Sequence, residues 1–320
     1  MKVCVFGAGA IGGYLAALLA RAGNHDVSAV ARGRQLAAMK DKGLTVRVGN
    51  EQWQTPIRCT DNAAQLGAQD AVIVTLKAPT IAPAAASLKS LLGRDTAIAF
   101  VMNGIPWWYY YKHGGPRDGE RIDRLDPGGT IWDALGPQRV LGGVAYCSAT
   151  LTSPGVIGID YADSHFEFGE PDGSDSARLN SIVAAMNAAG ATSTASRNIR
   201  ERIWAKLVLN MATGPSAVLS KSPLRDVIAQ EGMRDEVEAM LNEALAIARA
   251  AGMTFDLDTK AAVARIAKSA HKPSILQDLE AGRPMEIDAL YGIPLEIGRA
   301  SGVETPKLAL LTALVKARAR

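Results

Sequence analysis

The stretch KVCVFGAGAIGGYLAALLARAG, residues 2–23, decides how the chain begins to fold. Lys2 to Phe6 is a short apolar, β-branched run that stops at Gly7, and an alanine- and leucine-rich pattern from Ile11 to Ala22 is closed by Gly23. The first predicts a buried strand and the second a helix. Between them stands Gly7-Ala8-Gly9-Ala10-Ile11-Gly12, a G-x-G-x-x-G set in the strand–turn–helix context that gives it meaning. Gly7 permits the tight turn, Gly9 lets the backbone approach a pyrophosphate, and Gly12 lets the helix pack closely. Amides at the helix N-terminus then face the phosphates, so Gly7, Ala8, Gly9, Ala10, Ile11 and Gly12 are expected to cradle a dinucleotide. A tight strand–helix turn without a ligand is the plainer alternative.

Working outward, Asp26 to Val30, Ala71 to Leu76 and Thr96 to Val101 read as further buried strands, and Ile81 to Leu92 as a helix. The alternation predicts a doubly wound parallel sheet. From Gly142 to Gly169 short runs punctuated by Gly and Pro, among them Gly155 to Tyr161 and His165 to Phe168, suggest antiparallel strands closing that sheet. Beyond Asn198 strand patterns vanish, and helical ones cover Ile199 to Ala212, Arg225 to Ala251, Leu257 to Ala270 and Met285 to Ala300. The expected fold is α/β: an N-terminal Rossmann-type doubly wound sheet over residues 1–195 and an all-helical C-terminal domain over 196–320. Trp107 to Pro137 fits neither pattern. Opening on five consecutive aromatics and continuing rich in Gly, Pro, Arg and Asp, it is either a surface excursion folded back on the body or a lid or subunit contact.

Composition narrows the function classes. Apolar residues at 48% and charged residues at 21% describe a folded globular chain. The net charge of +3 is spread along the sequence, which argues against a nucleic-acid surface. Cys4, Cys59 and Cys147 are odd in number and far apart, which argues against a disulfide framework or a zinc site and fits the cytoplasm. The chain starts directly in a strand pattern, and no apolar run reaches the roughly 18 residues of a membrane span, so a soluble intracellular protein is expected.

The second strand is followed by Val30-Ala31-Arg32-Gly33-Arg34. A carboxylate there would bond the ribose hydroxyls of NAD, whereas an arginine accepts the 2′-phosphate of NADP, so Arg32 favours NADP(H). Lys77 and Asn103 follow the third and fourth strands, at the carboxyl ends where open α/β sheets bind ligands, and are expected to face the cofactor. In the helical half, Lys206 and Asn210 share one helix face inside the nearly apolar run Ile203 to Met211. Reduction of a ketone gives such a lysine a task, because hydride arrival at carbon leaves negative charge on oxygen that an ammonium can stabilise and protonate. A lysine snorkelling to water is the alternative. Pro273 and Ser274 look like a helix start, and Glu286 stands at another, where it could simply match the helix dipole. His25, His113, His165 and His271 are dispersed, with only His271 near a candidate residue.

Taken in order, GAGAIGGYLA (7–16), Arg32, TLKA (75–78), Asn103-Gly104, WAKLVLN (204–210) and PSILQDLEAGRPMEID (273–288) resemble the ketopantoate reductase family over nearly the whole chain. The resemblance implies NADPH-dependent reduction of the 2-oxo acid 2-dehydropantoate to pantoate, a step of pantothenate and coenzyme A biosynthesis. It further implies Lys206 as general acid, Glu286 contacting or orienting the substrate, Asn103 between nicotinamide and substrate, Asn210 on substrate polar groups and Ser274 on the carboxylate. A homodimer is implied for some members. Two departures bear on the substrate: Gly214 stands where the family commonly has a second asparagine four residues after Asn210, and the region around Leu224 and Arg225 replaces an Asn-Gly-Glu. The alternatives are an NADP-dependent reductase of another 2-oxo acid, a 3-hydroxy acid dehydrogenase, to which the Lys206–Asn210 helix is also similar, and a non-catalytic NADP(H)-binding regulator.

Overall fold

The computed structural model describes residues 1–160, 164–270 and 272–319. These divide into two compact units: residues 1–102 with 107–199, and residues 103–106 with 200–320.

In the first unit, strand β1 (Lys2–Phe6), helix α1 (Ala10–Ala22) and strand β2 (Asp26–Val30) occupy the segments that the opening sequence marks out. Helix α2 (Gly33–Lys42), β3 (Leu44–Val48), β4 (Glu51–Thr55), β5 (Arg58–Thr60), β6 (Gln69–Val74), α3 (Ile81–Lys89) and β7 (Leu92–Val101) follow. After a long connection come α4 (Thr130–Leu135), β8 (Val140–Tyr146), β9 (Ala149–Ser153), β10 (Val156–Ile159), β11 (His165–Gly169), α5 (Ala177–Ala188) and β12 (Ser193–Ala195). An eight-stranded sheet runs β12-β11-β8-β7-β6-β1-β2-β5. From β5 to β8 every pairing is parallel, and the all-apolar interiors of β1 and β6 are what a strand covered on both faces requires. Strand β11 pairs antiparallel with β8.

The expectation that Val156–Ile159 closes this sheet is corrected. Strand β10 instead joins a separate four-stranded sheet in the order β4-β3-β10-β9. Tyr161, the last residue of the expected strand, lies outside the described residues. The physical reason is the composition of α1, which is apolar on two faces. Gly12 turns toward β1 and β6, while a Cβ on Gly13 would come within 3.0 Å of Ile157 on the second sheet. Val46, Ile157 and Ile159 share a buried cluster with Leu15, Ala16 and Leu19, and burial of each Val, Leu or Ile side chain contributes about 1.5–3 kcal/mol.

The long connection after β7 is folded. Trp107, Trp108, Tyr109 and Tyr110 are all buried in the first unit. Trp107 meets Phe100 and Trp132 edge to face, at centroid distances of 5.5 and 5.9 Å, an arrangement the ring quadrupoles favour. Buried Asp126 accepts hydrogen bonds from the Ile131 and Trp132 amides and so caps α4. The fold-back reading describes these four aromatics.

The second unit is helical, as expected. Its elements are α6 (Ile199–Ser220, whose first residue belongs to the other unit), α7 (Leu224–Ile228), α8 (Met233–Ala250), α9 (Thr259–Ile266) and α10 (Ser274–Glu280). A single π turn (Asp288–Gly292) leads into α11 (Ile293–Ala300), and α12 (Pro306–Arg318) ends the fold. The expected helix from Arg225 to Ala251 is two helices, because Gly232 adopts φ +76° between them, a left-handed conformation that glycine takes at no steric cost. Helix α8 buries Val237, Met240, Leu241, Ala244, Leu245 and Ala248 at helical spacing. A Cβ on Gly298 of α11 would lie 2.9 Å from Ile247, so glycine permits this crossing.

Candidate active site

Each unit carries its own group of the residues singled out in the sequence. In the first, β1 ends at Gly7, whose φ of +103° is the turn that only glycine makes cheaply. The Gly7 and Ala8 amides donate to the Val30 carbonyl at 3.0 and 3.2 Å, tying the turn to the end of β2. A Cβ on Gly12 would collide with the Gly7 carbonyl and the Thr75 hydroxyl, whereas a Cβ on Gly9 would meet nothing within 4 Å. The three glycines thus separate into a turn, an open approach at the helix start and a packing contact, which fits a pyrophosphate at the N-terminus of α1 through Ala10 and Ile11.

Two side chains that sequence reasoning did not single out brace this turn. Thr75 donates its hydroxyl to the Gly7 carbonyl at 2.6 Å. Gln35 donates to the Ala8 carbonyl and accepts from the Gly155 amide, both at 2.8 Å. Thr75 was visible as the first residue of TLKA. Gln35 stands three residues after Arg32, and the helical spacing alone could have pointed to it. Arg32 itself is exposed at the N-cap of α2, immediately after β2, where a 2′-phosphate would be met. Lys77 is half-buried before a short 3-10 turn, and its carbonyl accepts the Thr80 hydroxyl at 2.7 Å.

The second unit gathers the chemistry. Lys206, half-buried on α6, donates from Nζ to Oδ1 of Asn103 at 2.9 Å. The Asn103 amide nitrogen lies 3.5 Å from Oε2 of Glu286, a long contact. Glu286 is only 3% exposed. Asn103 reaches this unit because residues 103–106 are stitched to the π turn: the Ile105 amide donates to the Ala289 carbonyl at 2.9 Å, and a side chain on Gly104 would collide with that carbonyl. Asn210 follows Lys206 by one helical turn, and Ser274 opens α10 directly after Pro273. Both are half-buried. His271 lies outside the described residues. Among the described residues no cluster of His, Cys, Asp and Glu is suited to a metal ion, and no helix is long and apolar enough to cross a membrane.

An ammonium, an amide and a buried carboxylate joined through one asparagine can polarise a carbonyl and deliver a proton to its oxygen. Comparison with known proteins agrees with that chemistry. The family profile of ketopantoate reductase PanE/ApbA matches residues 3–113, and that of its C-terminal part matches residues 198–319. The chain is 42% identical to a 2-dehydropantoate 2-reductase of Mesorhizobium japonicum over 99% of its own length and 97% of the relative's. A protein of Ralstonia solanacearum MolK2, assigned provisionally as a ketopantoate reductase, superposes with a TM-score of 0.91 at 37% identity, covering 99% of this chain and 97% of that one. A PanE/ApbA family ketopantoate reductase of Ralstonia eutropha JMP134 gives 0.83 at 26% identity over 100% and 98%. With both halves matched and a near-full-length relative well above 30% identity, the chain belongs to the ketopantoate reductase family.

Proposed function

We propose that this chain is an NADP-dependent oxidoreductase that reduces 2-dehydropantoate to pantoate. The observation that carries the proposal is the Lys206–Asn103–Glu286 set, held inside one unit of a chain of this family. Gly7 to Gly12 and Arg32 would hold the dinucleotide, with Lys77 beside them, and the glycine geometry fits that role. When bound, NADPH supplies the hydride that the carbonyl carbon receives.

Lys206 holds the proton that the carbonyl oxygen takes up as it becomes a hydroxyl, and its positive charge stabilises the oxygen before that transfer. Asn103 keeps the lysine Nζ at one place by accepting its hydrogen bond. Glu286, buried and next to the same asparagine, orients the substrate or its proton source. Asn210 and Ser274 bind the polar groups and the carboxylate of the acid. A homodimer in the cytoplasm, with no nucleic-acid partner, completes the reading; the three free cysteines and the absence of a membrane-length helix among the described residues support the location.

Product identification decides the assignment. Incubation of 2-dehydropantoate and NADPH with the protein should yield pantoate in step with nucleotide oxidation, and oxidation without pantoate would refute it.

A further inference from the structure

Tyr291 lies in the π turn that follows Glu286, and its side chain is 1% exposed. Its hydroxyl is sealed from solvent and meets no hydrogen-bonding partner. Burial of an unpaired hydroxyl is costly, and phenylalanine would fill the same space without that cost. Such a group in a folded chain calls for a specific account, and π turns recur at functional sites.

The position of the hydroxyl supplies that account. A Cβ placed on Gly214 would collide with the Tyr291 hydroxyl and would come within 3.3 Å of its Cζ and of Ile275 Cγ2. Gly214 is on α6, four residues after Asn210 and eight after Lys206, so the three share one stripe of the helix. Ile275 follows Ser274 at the start of α10. The phenol oxygen therefore stands against the helix stripe that carries the proposed acid, in the space a side chain at 214 would otherwise take. Glycine at 214 makes room for this one polar atom. Burial, with the Glu286 carboxylate adding to it, holds the phenol pKa above its ordinary range, so the hydroxyl keeps its proton and can donate.

We propose that Tyr291 is a specificity-determining residue whose hydroxyl hydrogen-bonds the terminal hydroxyl of a 4-hydroxy-2-oxo acid, with Gly214 providing the space. The inference rests on the reductase reading above. It makes the site one that discriminates on a polar contact rather than on size, because a group built to bond a substrate hydroxyl is left unpaired by the analogue that lacks it.

The test compares 2-dehydropantoate with 3,3-dimethyl-2-oxobutanoate, the same skeleton without the terminal hydroxyl, using NADPH and the full chain carrying Tyr291→Phe. Loss of one buried, unpaired hydroxyl leaves the packing of the ring intact and removes the cost of burying it, so Tm should rise and the NADPH dissociation constant should hold. Preference for the hydroxylated acid should drop by about tenfold or more, chiefly through its KM. A loss equal for both acids, or no loss at all, overturns the inference while leaving the reductase reading in place. Failure of the unmodified protein to reduce either acid overturns that reading, and the inference with it. Gly214→Ala approaches the same atom from the other side. It should lose comparable preference alone and little more when added to Tyr291→Phe, whereas fully additive losses would show that the two positions do not act on one hydroxyl.

Discussion

Lys206 donates a 2.9 Å hydrogen bond to the side chain of Asn103, a residue 103 positions earlier that the chain returns to the helical unit for this contact. The bond holds the lysine Nζ in place through an acceptor that carries no charge. Lys206→Ala should lower kcat by about 10²–10⁴-fold, the range of a positioned general acid. NADPH affinity, read by fluorescence titration, should stay as it is, and unchanged turnover would remove the lysine from the mechanism.

Asn103 presents its oxygen to Lys206 and its nitrogen to Glu286. Asn103→Asp keeps the shape and the acceptor but loses the donor, and it sets a second carboxylate against Glu286 at a separation near 3.5 Å. Repulsion at that distance should displace one of the two. We expect kcat to fall roughly a hundredfold, comparable to loss of one preorganised donor, with a shifted pH–rate profile. A profile and rate like those of the unmodified protein would show that the link is incidental.

Arg32 occupies the N-cap position of α2 at the end of β2 and is exposed there, ready for an anion. Arg32→Ala should weaken NADPH by roughly 10- to 100-fold, the worth of a charge-assisted hydrogen bond, and leave NADH nearly unchanged. Equal losses for the two nucleotides would mean that it does not read the 2′-phosphate.

The glycine-rich turn offers a test of its own. Gly12→Ala drives a methyl into the Gly7 carbonyl and the Thr75 hydroxyl, so nucleotide binding should fail and Tm should drop. Thr75→Val removes only the 2.6 Å bond to Gly7 and should cost about 1 kcal/mol of stability. Its NADPH dissociation constant should rise, and one that stays fixed would show that the hydroxyl braces the fold but not the site.

Cys4 is wholly buried on β1, and burial pushes its thiol up to about 12 from an ordinary value near 9. The folded chain holds this proton more tightly than the unfolded one, so its stabilising contribution is complete below pH 9 and is lost as pH rises from 9 toward 12. The Tyr291 phenol is shifted in the same direction. Thermal stability should therefore decline above pH 9, and Cys4→Ala, though less stable overall, should decline less steeply between pH 9 and 11. Rapid labelling of Cys4 by a thiol reagent in the folded protein at neutral pH would contradict its burial.

Strands β1, β2, β6 and the apolar end of β7, with the glycine-rich turn, were legible in the sequence because each depends on neighbours in the chain, whereas the short edge strands β5 and β12 carry too few residues to show a pattern. The second sheet was not: Trp53 and Ile157 lie about a hundred residues apart, and only the two-faced composition of α1 hinted that something besides the main sheet must cover it. Asn103, Lys206 and Glu286 could be named from their motifs, yet their common placement depends on Gly104 tolerating the backbone of Ala289, a contact that no local pattern encodes. Tyr291 escaped notice for the opposite reason, since an aromatic in an apolar helix reads as core until its hydroxyl is found without a partner.

The central claim is tested most directly by following NADPH oxidation at the nicotinamide absorbance with 2-dehydropantoate and a panel of larger and smaller 2-oxo acids, with NADH in parallel. Turnover of 2-dehydropantoate with NADPH well above that of every other pairing is the predicted result. Turnover confined to another 2-oxo acid, or to NADH, would contradict it.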